Sequence, residues 1–186
     1  MVVSDFLYHQ YGLSESAISI LADSGNIMTF DRNHNIIQEG KTEKSSYLII
    51  SGCVKAHLNH DGKEVTFWFG FEGDLLFSYN SKFLNSPGYE SITTLEKCKL
   101  WEIKNEWLEK CCHENIEIAN WWRRMIEKEL LKTERRLIDR QIKPAAQRYL
   151  DLINDYPQIL QRISLGNIAS YLGISQVSLS RIRRGQ

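Results

Sequence analysis

The chain has 186 residues, of which 42% are hydrophobic and 25% are charged, and its 23 Lys and Arg balance its 23 Asp and Glu. This length fits one medium domain or two small ones, and no run is long and apolar enough to cross a bilayer. Residues 1–10 also lack the basic start and the extended apolar core of a signal peptide. We therefore expect a cytoplasmic protein without membrane contact.

The net charge of zero conceals an uneven distribution along the chain. Residues 1–120 carry 10 basic and 17 acidic side chains, whereas residues 121–186 carry 13 basic and 6 acidic ones, giving formal charges of −7 and +7. A basic C-terminal third attached to an acidic body suits a protein that approaches phosphate groups with one end only. A solvated helix face accounts for part of this excess.

The N-terminal half predicts one short helix followed by many short strands. Ser14 can cap a helix that runs to Ala22. Asp61 and Gly62, between alternating residues, form the clearest hairpin turn. The predicted strand segments are residues 28–30, 36–37, 47–50, 53–58, 65–69, 91–95 and 99–103. Many short strands with regular turns are typical of a sandwich or a barrel.

The period becomes helical from about residue 114 to residue 142. A single amphipathic helix can lie on the strands, but an apolar stripe of this length, with basic residues around it, favours coiled-coil-like pairing with a second copy. The predicted interface residues are Trp122, Ile126, Leu130 and Leu137. Pro144 suits a first helical turn, so residues 143 and 144 mark a hinge before a helix over residues 145–154 that Pro157 ends.

The last stretch, residues 163–182, contains two helical periods separated by Gly173, which can supply the positive φ of a tight turn. Ser164 and Ser175 can each cap one helix, which gives a helix-turn-helix layout. The alternative is a pair of amphipathic helices that only close a small core. The predicted DNA-contacting residues are Ser175, Gln176, Val177, Ser178, Ser180, Arg181, Arg183 and Arg184.

Residues 175–182 match the Ser-x-x-x-(apolar)-x-Arg-Ile recognition helix of the Crp/Fnr family of bacterial transcription regulators, and this end of the chain closely resembles that family. Residues 29–103 resemble its cyclic-nucleotide-binding β-roll, with Glu39, Gly40, Gly52, Gly73 and Asp74 in comparable places. The resemblance implies an α+β fold with an antiparallel β-roll (a double-stranded β-helix) over residues 1–112. It also implies a dimerisation helix over 113–142 and a helix-turn-helix domain over 143–186. Many family members continue into a terminal wing, which we do not expect in this chain. The resemblance also implies a homodimer that binds double-stranded DNA, with RNA polymerase as a further candidate partner.

One segment departs from the family pattern. In members that bind cyclic AMP, a Glu and then an Arg-Ser pair hold the nucleotide, but residues 75–81 contain no Glu, and Glu90 and Ser91 stand where Arg-Ser would be. A carboxylate repels a phosphodiester, so we expect no binding of cyclic AMP. Tyr79, Phe83 and Tyr89, with Glu90 and Ser91, are candidates for a pocket that takes another effector, or the aromatics are plain core.

We expect no metal and no cofactor. Cys53, Cys98, Cys111 and Cys112 form no CxxC pair and are expected to be reduced and mostly buried. No Cys precedes Cys53, which excludes the iron–sulfur version of the family, and a lone His is more often structural than a haem ligand.

Two other classes compete with a DNA-binding regulator. A cupin-type metal enzyme is suggested by Gly52, His57, His60 and Glu64, but residues three apart on a strand point to opposite faces. The other is a signalling module that pairs through the long helix without binding DNA, and the sequence alone leaves it open.

Overall fold

A computed structural model describes residues 3–185. The strands are β1 (Gly25–Phe30), β2 (Asn35–Ile37), β3 (Ser45–Ser51), β4 (Val54–His60), β5 (Lys63–Gly70), β6 (Leu75–Leu76), β7 (Ser91–Thr94) and β8 (Cys98–Lys104). The helices are α1 (Val3–Tyr11), α2 (Glu15–Ser24), α3 (Tyr79–Leu84), α4 (Asn105–Glu114), α5 (Ile116–Ile142), α6 (Ala145–Asp155), α7 (Ile159–Arg162), α8 (Leu165–Leu172) and α9 (Gln176–Arg184). The predicted α+β class, an antiparallel roll followed by helices, is confirmed. Three residues lie outside the described range: Met1 and Val2, which begin the predicted roll domain, and Gln186, which ends the predicted DNA-binding domain. The prediction that no terminal wing follows also falls outside the described residues.

The strands form two four-stranded antiparallel sheets, in the orders β1-β8-β3-β6 and β2-β7-β4-β5. Strand β3 is buried on both faces. Tyr47 and Ile49 belong to the core between the sheets, whereas Leu48 and Ile50 belong to the core beneath the helices. Because side chains alternate along a strand, a strand that is covered on both sides needs an uninterrupted apolar run, and this is what the sequence has.

The β4–β5 hairpin has the predicted two-residue turn. His60 pairs with Lys63, and Asp61 and Gly62 between them have φ of +51° and +73°. Two successive positive φ angles define the type I′ turn, whose twist matches that of the flanking strands. The Asp61 and Gly62 prediction is therefore confirmed.

Helices α1, α2 and α4 and the first half of α5 cover the outer face of the first sheet. Their buried side chains share one apolar core with Leu48, Ile50, Trp101 and Ile103. The Ser14 hydroxyl accepts a hydrogen bond from the Ala17 N–H at 3.3 Å, so the predicted cap of α2 is confirmed. Helices α1, α3, α4 and α7 were not predicted from the sequence.

The apolar stripe of α5 does not lie on one face of the helix. A step of four residues turns about 400°, about 40° beyond a full turn, so the series Ile118, Trp122, Ile126, Leu130 rotates by about 120° around the axis. Ile118 is fully buried against the roll, Trp122 and Ile126 are half-buried, and Leu130 is 65% exposed. Trp122 packs on Phe77 of its own chain, with ring centroids 5.4 Å apart. The four predicted interface residues therefore lie in different surroundings.

Helices α6 to α9 form a small domain that packs against β5. Tyr156 stacks on Phe71 and Tyr171 lies against Phe69, with ring centroids 4.5 and 4.9 Å apart. The described helices include none that is long and apolar enough to cross a membrane.

Candidate nucleic-acid interface

Helices α8 and α9 form the predicted helix-turn-helix, with both caps in place. The Ser164 hydroxyl accepts from the Asn167 N–H at 3.3 Å, and the Ser175 hydroxyl accepts from the Ser178 N–H at 3.1 Å. Gly173 between the helices has φ of +68°, in the left-handed region that favours glycine. These caps satisfy amide groups at the first turn of each helix, which fixes where α9 begins.

The inner faces of α8 and α9 are buried against α6. Ile168, Ala169, Leu172 and Leu179 are at most 3% exposed and share a core with Tyr149. Small Ala169 allows the two helices to cross closely. Their burial fixes which side of α9 faces outward.

The outer side of α9 is exposed and basic. Arg181, Arg183 and Arg184 are exposed, and their side chains form no hydrogen bond or ion pair with other residues in the part of the chain that the structure describes. Val177 is 61% exposed. An exposed arginine keeps all its donors free for a planar acceptor such as a phosphate or a guanine edge.

The remaining predicted contact residues are more constrained. Gln176 is exposed, but its amide nitrogen lies 2.7 Å from the place where a Cβ on Gly166 would stand, so its side chain rests on the start of α8. The hydroxyls of Ser175 and Ser178 lie 3.0 Å apart and share a hydrogen bond. Ser180 is half-buried. The free groups on the outer side of α9 are thus mainly those of its arginines.

The predicted aromatic effector residues of the roll lie in two aromatic groups. Tyr79 and Phe83 pack on Phe77, with centroid distances of 4.7 and 6.0 Å, and Tyr89 lies 6.1 Å from Phe67. Burial raises the pKa of Tyr79 to about 12, so its phenol stays neutral. A cavity that borders Phe77 has a volume of about 10 Å³, about the space of one water molecule.

Glu90 directly precedes Ser91, the first residue of β7, and both are buried. Glu90 is 3% exposed, and neither of its carboxylate oxygens has a hydrogen-bond partner among the described residues. The Ser91 hydroxyl accepts from the Glu39 N–H at 3.1 Å. Glu90 brings no positive charge to a cyclic phosphate, and the absence of cyclic AMP binding stays a prediction.

The four cysteines are free thiols, three of them buried and Cys112 half-buried. Burial raises the pKa of Cys53 to about 12 and that of Cys98 to about 11, so both stay protonated at neutral pH. His57 contacts Glu64 at 3.3 Å and Thr93 at 2.9 Å, while His60 lies at the hairpin beside Asp61. Within residues 3–185, no three His, Cys, Asp or Glu side chains are grouped as metal ligands.

A set of contacts between the helix-turn-helix domain and the roll was not predicted. Arg162 donates to Glu72 at 2.8 and 3.0 Å and to Glu96 at 3.1 Å, and its guanidinium lies over the Phe71 ring at 5.5 Å. The Thr66 N–H donates to the Ser170 hydroxyl at 2.9 Å. Sequence reasoning offered no signal for them, because the partners are many residues apart and each is an ordinary surface residue by itself.

Comparison with known proteins gives a match to one family model and a set of similar solved structures. Residues 27–115 match the family model of the cyclic nucleotide-binding domain. FixK2 from Bradyrhizobium japonicum superposes with a TM-score of 0.76 and 18% identity, over 87% of this chain and 83% of that one. The c-di-GMP-responsive global regulator CLP from Xanthomonas campestris gives 0.76 and 17%, over 92% and 91%. A transcriptional regulator assigned to the Crp/Fnr family from Eubacterium rectale gives 0.75 and 16%, over 97% and 86%.

The chain has the Crp/Fnr fold. The resemblance seen in the sequence is thereby confirmed, and it extends from the roll through α5 to the helix-turn-helix. No curated protein matches the chain by sequence. Two of these three similar proteins are described as regulators.

Proposed function

We propose that the chain is a DNA-binding transcription regulator that acts as a homodimer and reads its operator with α9. The observation that carries the proposal is the outer side of α9. Arg181, Arg183 and Arg184 are exposed there, with no carboxylate partner among residues 3–185, on a helix whose start and orientation are fixed by caps and a buried inner face. A helix held in this way and rich in free arginine fits the major groove of B-DNA.

The positions along α9 divide into base readers and phosphate contacts. Arg181 can donate two hydrogen bonds to the O6 and N7 atoms of a guanine, Gln176 pairs best with adenine, and Val177 contacts a thymine methyl. Arg183 and Arg184, in the last turn, meet phosphates and give affinity without sequence choice. Ser175, Ser178 and Ser180 contribute contacts around them. In the resembling family the positions of Gln176 and Val177 are often Arg and Glu, so we expect a different operator.

The second half of α5 carries the dimer interface. Leu130, Leu131, Leu137, Ile138 and Ile142 are between 47% and 71% exposed, and Leu137 lies at the edge of this row, where it also borders the cavity beside β5. Exposed large apolar residues in such a continuous row are rare on a monomer and are covered by a partner. The partner is a second copy, because residues seven apart (Leu130 and Leu137, Leu131 and Ile138) give the repeat of a coiled coil. Trp122 and Ile126 flank this interface and mainly serve the roll.

A dimer of this kind implies a near-palindromic operator. Two recognition helices related by a two-fold axis read two half-sites, about one helical turn of DNA or about 34 Å apart. We assign residues 1–112 to the roll, 113–142 to the dimerisation helix and 143–186 to the DNA-binding domain. RNA polymerase is a further proposed partner of the bound dimer.

Light scattering at micromolar concentration tests the dimer. Leu130→Glu should convert a dimer to a monomer, because it places two like charges in an apolar seam. Lys128→Gln, which changes the charge by the same amount on the flank of the helix, should leave the dimer intact. A monomeric wild-type chain, or a dimer that Leu130→Glu does not affect, contradicts this part of the proposal.

Selection of bound duplexes from a random DNA pool tests the DNA-binding part. We expect enrichment of a two-fold symmetric sequence that contains guanine in each half-site. A chain with Arg181, Arg183 and Arg184 all changed to Ala should enrich nothing, while Arg124→Ala, an exposed arginine of α5, should enrich the same sequence. If the wild-type chain retains no DNA, the alternative of a signalling module that only pairs is favoured instead.

A further inference from the structure

One cavity in the described residues lies where three parts of the molecule meet. Its volume is about 590 Å³, and its walls come from β5 of the roll, the second half of α5, and helices α6 and α8. This volume is in the range of small-molecule sites, which is about 300 to 1,000 Å³. It shares Phe67 with the Tyr89 pair, but neither Glu90 nor Ser91 lines it.

The charges around this cavity favour an anion. Lys132, Arg135, Arg136, Arg140 and Arg148 line it, against Asp139 and Asp155. Ion pairs occupy three of these seven residues: Lys132 with Asp74, Arg136 with Glu129, and Asp139 with Lys143. The remainder is three arginines against one aspartate, so an anion that enters meets a net positive wall.

Two of the free arginines converge on one turn. The Arg148 Nη1 atom donates to the Leu172 carbonyl at 2.9 Å, and the Arg140 Nη2 atom lies 3.5 Å from where a Cβ on Gly173 would stand. The Arg148 Nε atom is buried without a hydrogen-bond partner among residues 3–185, and Arg140 has neither an ion pair nor a hydrogen bond there. Two like charges held near the same turn, with donors unused, are stabilised by an anion that both can reach.

The other walls are aromatic and hold one further free polar group. Phe67, Phe69 and Tyr171 line the cavity, and the Thr66 hydroxyl, buried without a partner in the described chain, lies among the lining residues. Aromatic walls favour a flat or apolar body, and a lone hydroxyl favours one polar substituent on it. The arrangement thus selects a small organic anion with an apolar part, rather than inorganic phosphate.

We propose that this cavity binds a small organic anion, a carboxylate, sulfonate or phosphate on an aromatic or aliphatic body, with the anionic group at Arg140 and Arg148. Because the walls belong to the roll, to α5 and to the helix-turn-helix domain, the occupant fixes the orientation of that domain. A change in DNA affinity on binding follows from this, and that consequence rests on the function proposed above.

Fluorescence titration of the full chain with anilinonaphthalene sulfonate, an aromatic anion, tests the site. We expect saturable binding. Arg140→Met should bind about tenfold more weakly, the loss expected for one charge-assisted hydrogen bond, while Arg140→Lys should retain most of the affinity. Arg124→Met, which removes an exposed arginine of the same helix outside the cavity, should bind like the wild type. Uncharged phenylnaphthylamine, with the same rings, should bind more weakly than the sulfonate.

The proposed site would be contradicted if Arg140→Met and Arg124→Met bound anilinonaphthalene sulfonate equally well. It would also be contradicted if the wild type bound the charged and the uncharged probe equally well. Circular dichroism confirms that each variant is folded before it is titrated. A second arm measures DNA affinity with and without saturating probe. If the probe binds as expected but DNA affinity is unchanged, the site stands and the coupling is overturned. If no DNA is bound even without the probe, the proposed function fails while the binding result remains valid.

Discussion

The helices that cover the two faces of the β-roll differ in how much of their contact with it is polar. Over the first sheet, α1, α2, α4 and the start of α5 bury a continuous apolar core that includes Leu21, Leu48, Trp101 and Ile118. Over β5 of the second sheet, the helix-turn-helix domain shares a second apolar core with Phe69, Phe71 and Leu95 of the roll, and it is also held by the ion pairs of Arg162 and several single hydrogen bonds.

The difference teaches which part of the molecule can move. Separating the first cover exposes a large apolar area, at about 25 cal/mol for each Å². At the second cover the roll contributes fewer apolar residues, and the ion pairs and hydrogen bonds there exchange for water at a small net cost. We therefore expect the helix-turn-helix domain to be the part whose orientation a ligand or a DNA site can change.

The largest expected effect is on the apolar cover. Ile118→Ala should lower the free energy of unfolding by about 2 to 5 kcal/mol, because it leaves a cavity in a fully buried position. Ile116→Ala, two residues earlier in the same helix at a side chain that is 77% exposed, should change it by about 0.5 kcal/mol or less. Urea denaturation measures both, and equal losses would mean that the first half of α5 does not pack on the roll as described.

A smaller effect is expected at the ion pairs that join Arg162 of the helix-turn-helix domain to Glu72 and Glu96 of the roll. Arg162→Met keeps the contact with Phe71 but removes the hydrogen bonds to Glu72 and Glu96, and should cost about 1 kcal/mol at neutral pH. Native-state hydrogen exchange should show faster exchange in α8 and α9 and unchanged exchange in β3 and β8. Uniform acceleration across the roll would contradict a separable boundary.

The same pair gives a pH dependence with a definite sign. Burial by itself raises the pKa of Glu72, but hydrogen bonds from Arg162 and from backbone amides outweigh it and hold that pKa below its ordinary value. A depressed pKa contributes stability above the ordinary Glu value of about 4.3, and this is lost as the pH falls through the folded-state pKa. The stability difference between the wild type and Arg162→Met should therefore shrink below about pH 4. A difference that grows on acidification would contradict this assignment.

The smallest expected effect is that of cyclic AMP or cyclic GMP, which should not change the melting temperature at millimolar concentration. Glu90 is buried where the resembling family has an Arg, so it brings no positive charge to a cyclic phosphate. A thermal shift of several degrees would show tight binding to the native state and would place the pocket elsewhere.

Sequence reasoning reached the local features and missed the distant ones. The caps at Ser14, Ser164 and Ser175 and the turn at Asp61 depend on neighbouring residues only, so spacing alone predicts them. The six-residue α3 is too short for a helical period to register. Arg162 binds partners 66 and 90 positions earlier in the chain. The cavity forms only where four elements come together. Neither feature can therefore be predicted from a local sequence pattern.

The α5 stripe lies between these cases. Its apolar positions were identified, but the sequence was interpreted as one interface. The helical turn divides it between the roll and the open side, because four-residue spacing drifts while seven-residue spacing does not drift as fast. The sequence alone does not show which apolar residues of α5 face the roll, so it could not separate the residues that pack on the roll from those left exposed.

The most direct test of the central claim is the affinity of Arg181→Ala for a selected operator and for random duplex of the same length, at one salt concentration. The account predicts a loss of about 1 to 3 kcal/mol on the operator and a much smaller loss on random DNA, whereas Arg184→Ala should weaken both alike and flatten the salt dependence. If Arg181→Ala weakens both duplexes by the same factor, α9 does not read bases through this residue. If neither substitution changes DNA binding, the chain does not use this helix to bind DNA.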